Sequence, residues 1–327
     1  MKKIFMFAAM ASVALASCTK NEPAVTPEQG DAILFNSPVV APVTKAGTEV
    51  EFPHTEFYVY AYYTAVDEDF DGTGSLYLRG REFNKYVVDD VCQYWNATPA
   101  AYWPKNGDLT FCAYAPEGVT ADATTDASKL VLNYSFDAAN QKDVLYSDWI
   151  LDQVSSMALG NDYNEEGIDL PFHHALSKVQ FKAQAGTQAA ADNITIKSIT
   201  LGGVKPEGQL TVPYTNNNVA WVPAGTATTY TVLSAGEEAI STTATAIGSS
   251  FMFVPQEVSL SENLIVTYQL TTDGGPLEQQ AKISLAETWV KGKSYTYTLV
   301  FNLDEIKLAP VVAEDWVDGT AAVLPQI

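Results

Sequence analysis

Apolar and polar residues alternate in many short stretches along the chain, with turn residues between them. In the sequence LSKVQFKAQAG, the alternation puts Val179, Phe181 and Ala183 on one face and polar side chains on the other. The sequence KSYTYTLVFNL is the clearest case, with an apolar residue at every second position from Tyr295 to Leu303. Because successive side chains of a strand point to opposite faces, each stretch predicts a strand with one buried face.

Other stretches add strands with particular features. In FYVYAYY, three tyrosines (Tyr58, Tyr60 and Tyr62) form one face, which would be either a covered second face or a contact surface. ITIKSITLGG changes its alternation between Ile196 and Ile199, which predicts a β-bulge. No stretch has a 3.6-residue period over the length of a helix. Many short strands with turns between them therefore predict an all-β protein of two antiparallel β-sandwiches.

The first apolar run after the N-terminal region is DAILFNSPVVAPV, residues 31–43. Pro38 and Pro42 interrupt it, and proline cannot donate a hydrogen bond to a neighbouring strand. The run therefore predicts an edge strand, or a strand followed by an irregular extension.

The first 18 residues, MKKIFMFAAMASVALASC, have the pattern of an export signal. Two lysines precede an apolar run that is shorter than the about 20 residues that a membrane-spanning helix needs. One cleavage site would lie before Ser17; the other is the sequence LASC, which matches the bacterial lipobox, in which Cys18 carries the lipid. We favour the lipobox because all four positions match. Residues 1–17 are then a lipoprotein signal peptide and residues 18–30 a soluble tether.

Composition limits the partners of the chain. It has 327 residues, with 18 Lys and Arg, 39 Asp and Glu, and a formal net charge of −21. Residues 1–17 hold two of the basic residues and no acidic one, so the charge without them is −23. Such a surface repels nucleic acid, which we do not expect as a partner. The hydrophobic content of 47% is ample for packed cores, and the length predicts two domains.

Two cysteines and one acidic turn are candidates for further chemistry. Cys92 and Cys112 could form a disulfide in an oxidising compartment, or Cys112 could be a buried free thiol in a strand. Asp67, Asp69 and Asp71, followed by glycine, match the first half of a calcium-binding loop. Leucine replaces the glutamate expected at its twelfth position, so a solvated turn is favoured over a weak calcium site. We expect no metal and no cofactor.

The chain has three histidines, which restricts the enzymatic mechanisms open to it. His173 and His174 are adjacent and would point to opposite faces of a strand, so we interpret both as structural. His54 has no serine or cysteine nucleophile motif near it, and the sequence has no glycine-rich loop for phosphate. We therefore expect that the protein is not an enzyme.

Several motifs that follow the lipobox resemble, in order, the fimbrillin-like proteins that form type V pili in Gram-negative anaerobes. They are YWP at Tyr102–Pro104, DLTFCAYAP at Asp108–Pro116, HALSKVQFK at His174–Lys182, MFVPQ at Met252–Gln256, WVKGKSYTYTL at Trp289–Leu299 and VVAEDW at Val311–Trp316. The resemblance covers essentially all of the chain after the signal peptide.

This resemblance implies two transthyretin-like β-sandwich domains in tandem, residues 31–171 and 172–327. It also implies a lipoprotein anchored in the outer membrane and assembled with other pilus subunits into a cell-surface fimbria. In such pilins a protease removes the first strand, and the C-terminal strand of a neighbouring subunit replaces it (donor-strand exchange). Carried over, the removed strand is Ala32–Val43 and the cut lies between Lys45 and Ala46, where the family usually has arginine before the cut.

The C-terminal sequence AAVLPQI has the pattern of a donor strand. Ala321, Val323, Pro325 and Ile327 would share one apolar side, although a strand that pairs within its own domain is the alternative. The favoured function is therefore a structural fimbrial subunit. The alternative is an outer-membrane lipoprotein that does not polymerise and binds a host glycan or host protein as an adhesin.

Overall fold

The computed structural model describes residues 31–41, 50–89, 91–121, 127–155 and 167–316. The strands of the first part are β1 (Val39–Val40), β2 (Val50–Glu51), β3 (Glu56–Thr64), β4 (Ser75–Val88), β5 (Val91–Asn96), β6 (Asp108–Ala115), β7 (Thr120–Ala121), β8 (Lys129–Ser135), β9 (Leu145–Ser147), β10 (Ile150–Gln153) and β11 (Phe172–His174). The later elements are β12 (Ser177–Ala185), α1 (Gln188–Asn193), β13 (Ile194–Val204), β14 (Glu207–Pro213), β15 (Ala220–Ala224), β16 (Thr228–Leu233), β17 (Glu238–Ala239), β18 (Thr245–Phe253), β19 (Glu257–Val258), β20 (Leu264–Thr272), β21 (Gly275–Ile283), β22 (Glu287–Thr288), β23 (Lys293–Phe301), β24 (Ile306–Leu308) and β25 (Val312–Asp315). The all-β prediction is confirmed, and the transthyretin-like arrangement stays a prediction.

The largest sheet has nine strands in the order β2-β1-β11-β9-β6-β3-β4-β5, with β10 beside β6. The predicted strand FYVYAYY is β3, which lies between β6 and β4. Its Phe57, Val59 and Ala61 belong to one buried cluster, whereas Tyr60 and Tyr62 belong to another on the opposite face. Both faces of this sheet are therefore covered.

A four-stranded sheet in the order β15-β14-β8-β7 contributes to the cluster that covers the tyrosine face. Strands β8 and β14 pair antiparallel over seven residue positions. Leu132 lies opposite Leu210 in this pair, and neither side chain is exposed. The two packed sheets form a β-sandwich, the architecture predicted from the alternating pattern.

The second half of the chain forms two five-stranded sheets, β18-β12-β23-β24 with β25 on β23, and β16-β13-β20-β21 with β17 on β13. A two-stranded sheet, β19-β22, completes this half. The predicted inward residues of β12 all lie in the buried cluster that these sheets share. In β23 the predicted alternation holds from Tyr295 to Phe301, but Leu303 is 46% exposed. The strand ends at Phe301, so Leu303 lies in the following turn.

Two local features of the second half follow from the sequence. The bulge predicted in β13 is present, because its register with β20 shifts between Ile196 and Ser198. The helix α1 begins after Thr187, whose hydroxyl accepts a hydrogen bond of 3.2 Å from the Ala190 N–H. Within the described ranges, no helix is long and apolar enough to cross a membrane.

The sheets include strands from both sides of the predicted domain boundary at residue 172. Strand β11, which begins at Phe172, pairs with β9 and β1 of the nine-stranded sheet. Strand β14, which lies well after the boundary, pairs with β8. The division into residues 31–171 and 172–327 stays a prediction, and the two halves have a sheet in common.

Candidate functional site

Residues 31–41, which we call the first-strand segment, close the nine-stranded sheet. On one side, Phe35 exchanges two backbone hydrogen bonds with Trp95 of β5, of 3.0 and 2.8 Å. On the other side, the Asn36 N–H donates to the carbonyl of Ile168 at 3.1 Å, and the Ile168 N–H donates back to the segment at 2.9 Å. Ile168 lies shortly before β11 in the chain. The segment therefore lies between β5, at one end of the sheet, and the residues that lead into β11.

The prolines of this region predict an edge strand, but the structure pairs the segment along both edges. The backbone N–H groups of Ile33, Phe35, Asn36 and Ala41 all donate to neighbouring carbonyls. Pro38 lies between these positions, where the missing N–H is not required. A proline is therefore compatible with an inner position when each neighbouring donor has its partner.

The side chain of Phe35 fills an aromatic pocket, which we call the Phe35 pocket. Its ring centroid lies 5.5 Å from that of Phe57, 4.9 Å from Phe83 and 5.6 Å from Phe111, and all three contacts are edge-to-face. Phe35 has no exposed surface. Edge-to-face pairs contribute about 0.5–1.5 kcal/mol each beyond the area they bury. The pocket thus fits a large flat side chain in one orientation.

Two aliphatic side chains of the segment accompany Phe35 in the same buried cluster. Ile33 is 1% exposed and Val40 is 2% exposed. Fully burying a side chain of this size contributes about 1.5–3 kcal/mol. Ile33, Phe35 and Val40 therefore form part of the buried core of the first half of the chain.

Asn36 fixes the register of the segment. Its side-chain amide donates to the Gly167 carbonyl at 2.9 Å and to the Asp169 carboxylate at 2.8 Å, and its oxygen accepts from the Gly167 N–H at 3.1 Å. A Cβ on Gly167 would lie 2.5 Å from the backbone nitrogen of Asn36. The close approach of the two backbones therefore requires glycine at position 167. A slip of one residue along the groove would break all three hydrogen bonds.

The predicted acidic turn has an internal hydrogen-bonding role. The Asp71 carboxylate accepts from the Thr73 N–H at 3.0 Å and from the Thr73 hydroxyl. Across the described residues, no group of three or more His, Cys, Asp or Glu side chains is placed to hold a metal ion. The structure thus does not bring Asp67, Asp69 and Asp71 together as ligands.

The disulfide that the sequence allows is not formed. Cys92 lies in β5 and Cys112 in β6, and both thiols are free. Strands β3 and β4 lie between β5 and β6 in the sheet, so the two cysteines are three strand spacings apart, too far for a disulfide. Burial raises the pKa of the Cys112 thiol well above its usual value, because a thiolate would be desolvated there.

The histidines have partners that support their structural interpretation. The His174 Nδ1–H donates to the Asp143 carboxylate at 2.9 Å, and its ring stacks flat on Trp316 at 4.3 Å. The His54 Nε2–H donates to the backbone carbonyl of Asp143 at 2.8 Å. His173 lies on the other side of β11, with Nε2 3.1 Å from the Asp148 carboxylate.

The tyrosine face of β3 is a covered second face. Tyr62 is 1% and Tyr60 5% exposed, whereas Tyr58 is half-buried and stacks on Tyr114 with ring centroids 5.3 Å apart. Burial, followed by the nearby charge of Glu82, raises the pKa of Tyr58 to about 12. The contact-surface alternative therefore does not apply to Tyr60 and Tyr62.

Several predicted site residues lie outside the described residues. They are the lipidation residue Cys18, the cleavage pair Lys45 and Ala46, and the donor-strand residues Ala321, Val323, Pro325 and Ile327. Each stays a prediction. The first-strand segment ends at Ala41, four residues before Lys45.

Sequence reasoning identified the first-strand segment but missed the walls of its groove. Phe83, Trp95 and Phe172 come from strands far apart along the chain, and only the fold brings them together around the segment. The one local signal is the spacing of Ile33 and Phe35, two positions apart in an apolar run.

Solved structures of other proteins share this fold. A candidate cell adhesion protein from Bacteroides uniformis is 14% identical, with 88% of this chain and 98% of that chain covered and a TM-score of 0.52. Another from Bacteroides ovatus is 16% identical, with 90% and 100% covered and a TM-score of 0.50. At such identities the likeness concerns the fold alone. A search of curated protein sequences found no significant match.

A family model gives the identification that these structures do not. The model described as fimbrillin-like matches residues 44–316, which is most of the chain. The match begins directly after the predicted removable strand and ends at Trp316, before the predicted donor strand. It includes every motif from Tyr102 to Trp316 on which the resemblance depends. The chain therefore belongs to the fimbrillin-like family.

Proposed function

We propose that the protein is a structural subunit of a cell-surface fimbria rather than an enzyme. It is exported as a lipoprotein, held on the outer membrane through lipid on Cys18, and assembled with other fimbrial subunits by donor-strand exchange. Membership of the fimbrillin-like family supports the fimbrial role. The motif LASC at the end of the export signal supports the lipid anchor.

The observation that carries this proposal is the position of the first-strand segment. It is hydrogen-bonded along both edges and buries Phe35 completely, yet it lies at the N-terminal end of the fold. Its removal would expose the Phe35 pocket together with unpaired backbone groups of Trp95 and Ile168. Such a slot is unfavourable in water and is a template for another strand.

The proposed cut between Lys45 and Ala46 explains how the slot opens. The sequence TKAGT around it contains glycine and no large apolar side chain. Because Cys18 lies before the cut, one cleavage would separate the subunit from its lipid and free the first strand. The C-terminal strand of a neighbouring subunit would then replace the first strand, and residues 321–327 of this chain would do the same in the groove of another subunit.

Replacing the lysine tests this proposal. After trypsin treatment, the unchanged protein should begin at Ala46, form fibres in electron micrographs and give a ladder that resists denaturation. Lys45→Ala should give neither the new N-terminus nor the fibres. Lys105→Ala, at an exposed lysine in a turn, is the matched control and should behave like the unchanged protein. Fibres from Lys45→Ala, or a native fibre that retains residues before Ala46, would contradict the proposal.

A further inference from the structure

We infer that the emptied groove takes its replacing strand from a different kind of subunit, one with a large aromatic residue at the position of Phe35. This inference rests on the proposed strand replacement, and it goes further by naming the chemistry of the partner. The partner strand would also place an aliphatic residue where Ile33 lies and would have N–H groups where Phe35 and Asn36 donate.

The Phe35 pocket is the first reason. Its walls are three phenylalanine rings on three different strands, β3, β4 and β6, and each meets Phe35 edge-to-face within 5.6 Å. Phe57, Phe83 and Phe111 have no exposed surface. Rings held this way cannot all move inward to fill the space that a smaller side chain would leave. The pocket therefore discriminates by size.

The C-terminal sequence of this chain is the second reason. After Trp316 the chain reads VDGTAAVLPQI, which contains no aromatic residue. Its largest apolar side chains are those of Leu324 and Ile327. Whatever register residues 317–327 of a second copy adopted, they would bring no aromatic ring to the pocket.

Pro325 removes the better registers for a strand that runs in the direction of the first-strand segment. Leu324 at the position of Phe35 would put Pro325 at that of Asn36, whose N–H donates to the Ile168 carbonyl. Ile327 at the position of Phe35 would put Pro325 at that of Ile33, whose N–H also donates. Valine, from position 317 or 323, is then the largest apolar side chain that can enter the pocket.

A strand in the opposite direction fits no better. Leu324 in the Phe35 pocket would place Gln326, a polar side chain, where Ile33 is 1% exposed. Ile327 in the pocket would again bring a side chain without an aromatic ring. A second copy of this chain is therefore a poor donor, and a strand from another subunit with an aromatic residue fits the groove.

A competition experiment on the full chain tests the inference. Residues 44–48 are replaced by the recognition sequence of a site-specific protease, so that the cut does not depend on Lys45. After cleavage, a labelled peptide of residues 31–43 is rebound, and unlabelled peptides compete for the groove. The competitors are residues 31–43, the same peptide with Phe35→Ala, residues 317–327, and the same peptide with Val323→Phe.

We expect the peptide of residues 317–327 to compete at least about 100-fold more weakly than that of residues 31–43, as should the Phe35→Ala peptide. Val323→Phe should recover about tenfold or more of the loss. Competition by the unchanged C-terminal peptide equal to that of residues 31–43 would overturn the inference and leave strand replacement intact. If even the labelled peptide cannot rebind after the cut, strand replacement itself fails, and the inference fails with it.

Discussion

Phe35 holds the first-strand segment against the nine-stranded sheet. It has no exposed surface, and its three ring contacts connect the first-strand segment to β3, β4 and β6. A smaller residue would leave a cavity, because the three surrounding rings are themselves fully buried. Its contribution is therefore to hold the segment against the sheet as well as to bury area.

Replacing this residue should destabilise the uncleaved protein strongly. We expect Phe35→Ala to lower the free energy of unfolding by about 3–5 kcal/mol, through lost burial and the cavity that remains. Leu277→Ala, at a side chain that is 52% exposed, is the control and should change it by no more than about 0.5 kcal/mol. Urea unfolding followed by tryptophan fluorescence measures both. A loss below about 1 kcal/mol for Phe35→Ala would mean that the pocket collapses around the gap.

The ionisation of Tyr114 should affect the stability of the protein at high pH. Burial, followed by the nearby Tyr60 and Tyr58, raises its pKa to about 12. The raised pKa means that folding favours the neutral phenol. The stabilisation is complete below the unfolded pKa of about 10, and it is lost as the pH rises through 12.

The stability of the protein should therefore fall between about pH 10 and pH 12, in part because of this residue. Tyr114→Phe cannot ionise, so the difference in unfolding free energy between it and the unchanged protein should change over this range and stay constant below pH 9. Tyr86→Phe, at a tyrosine that is 44% exposed, controls for the loss of a hydroxyl. Parallel pH profiles for the unchanged protein and Tyr114→Phe would contradict the assignment.

At the scale of elements, the sequence predicted the strands that have one polar face. For the first-strand segment it predicted a strand, but not that the strand is paired along both edges. β12 and β23 have clean alternation, and the bulge in β13 could also be predicted from its pattern. In the first-strand segment, Pro38 favoured an edge position. Whether a strand lies at an edge depends on which neighbours the fold supplies, and those, such as Trp95 and Ile168, are far away in sequence.

The candidate site could be predicted in position but not in shape. The apolar run predicts the strand of the first-strand segment, whereas its removal and the cut after Lys45 rest on the family resemblance and stay predictions. The size of the Phe35 pocket depends on rings from three other strands, which no local pattern relates. The separation of Cys92 from Cys112 likewise depends on the order of strands in the sheet.

At the scale of the whole molecule, the two halves of the chain share a sheet and several hydrogen bonds. Beyond the pairing of β8 with β14, the Trp149 indole N–H donates to the Val212 carbonyl at 3.1 Å. Lys291 from the second half donates to the Tyr146 hydroxyl of the first at 2.7 Å. These contacts join the two halves across residue 172, which predicts that the first half depends on the second for its stability.

The first half alone should therefore not fold. A chain of residues 31–171 lacks the four fully buried leucine and valine residues that the second half contributes to the common cluster, Leu176, Leu210, Val212 and Val254. Burial of each side chain contributes about 1.5–3 kcal/mol, so the fragment would lose about 6–12 kcal/mol of stabilisation. This loss is comparable with the whole stability of a typical domain.

We expect this fragment to be insoluble or to lack cooperative unfolding. Residues 31–316, which keep every described strand, are the matched control and should unfold cooperatively. Supplying residues 172–327 by co-expression should recover the fragment in a soluble complex, because β14 can again pair with β8. A soluble fragment of residues 31–171 with a sharp urea transition would mean that its sheet closes without β14, and that the halves are independent domains.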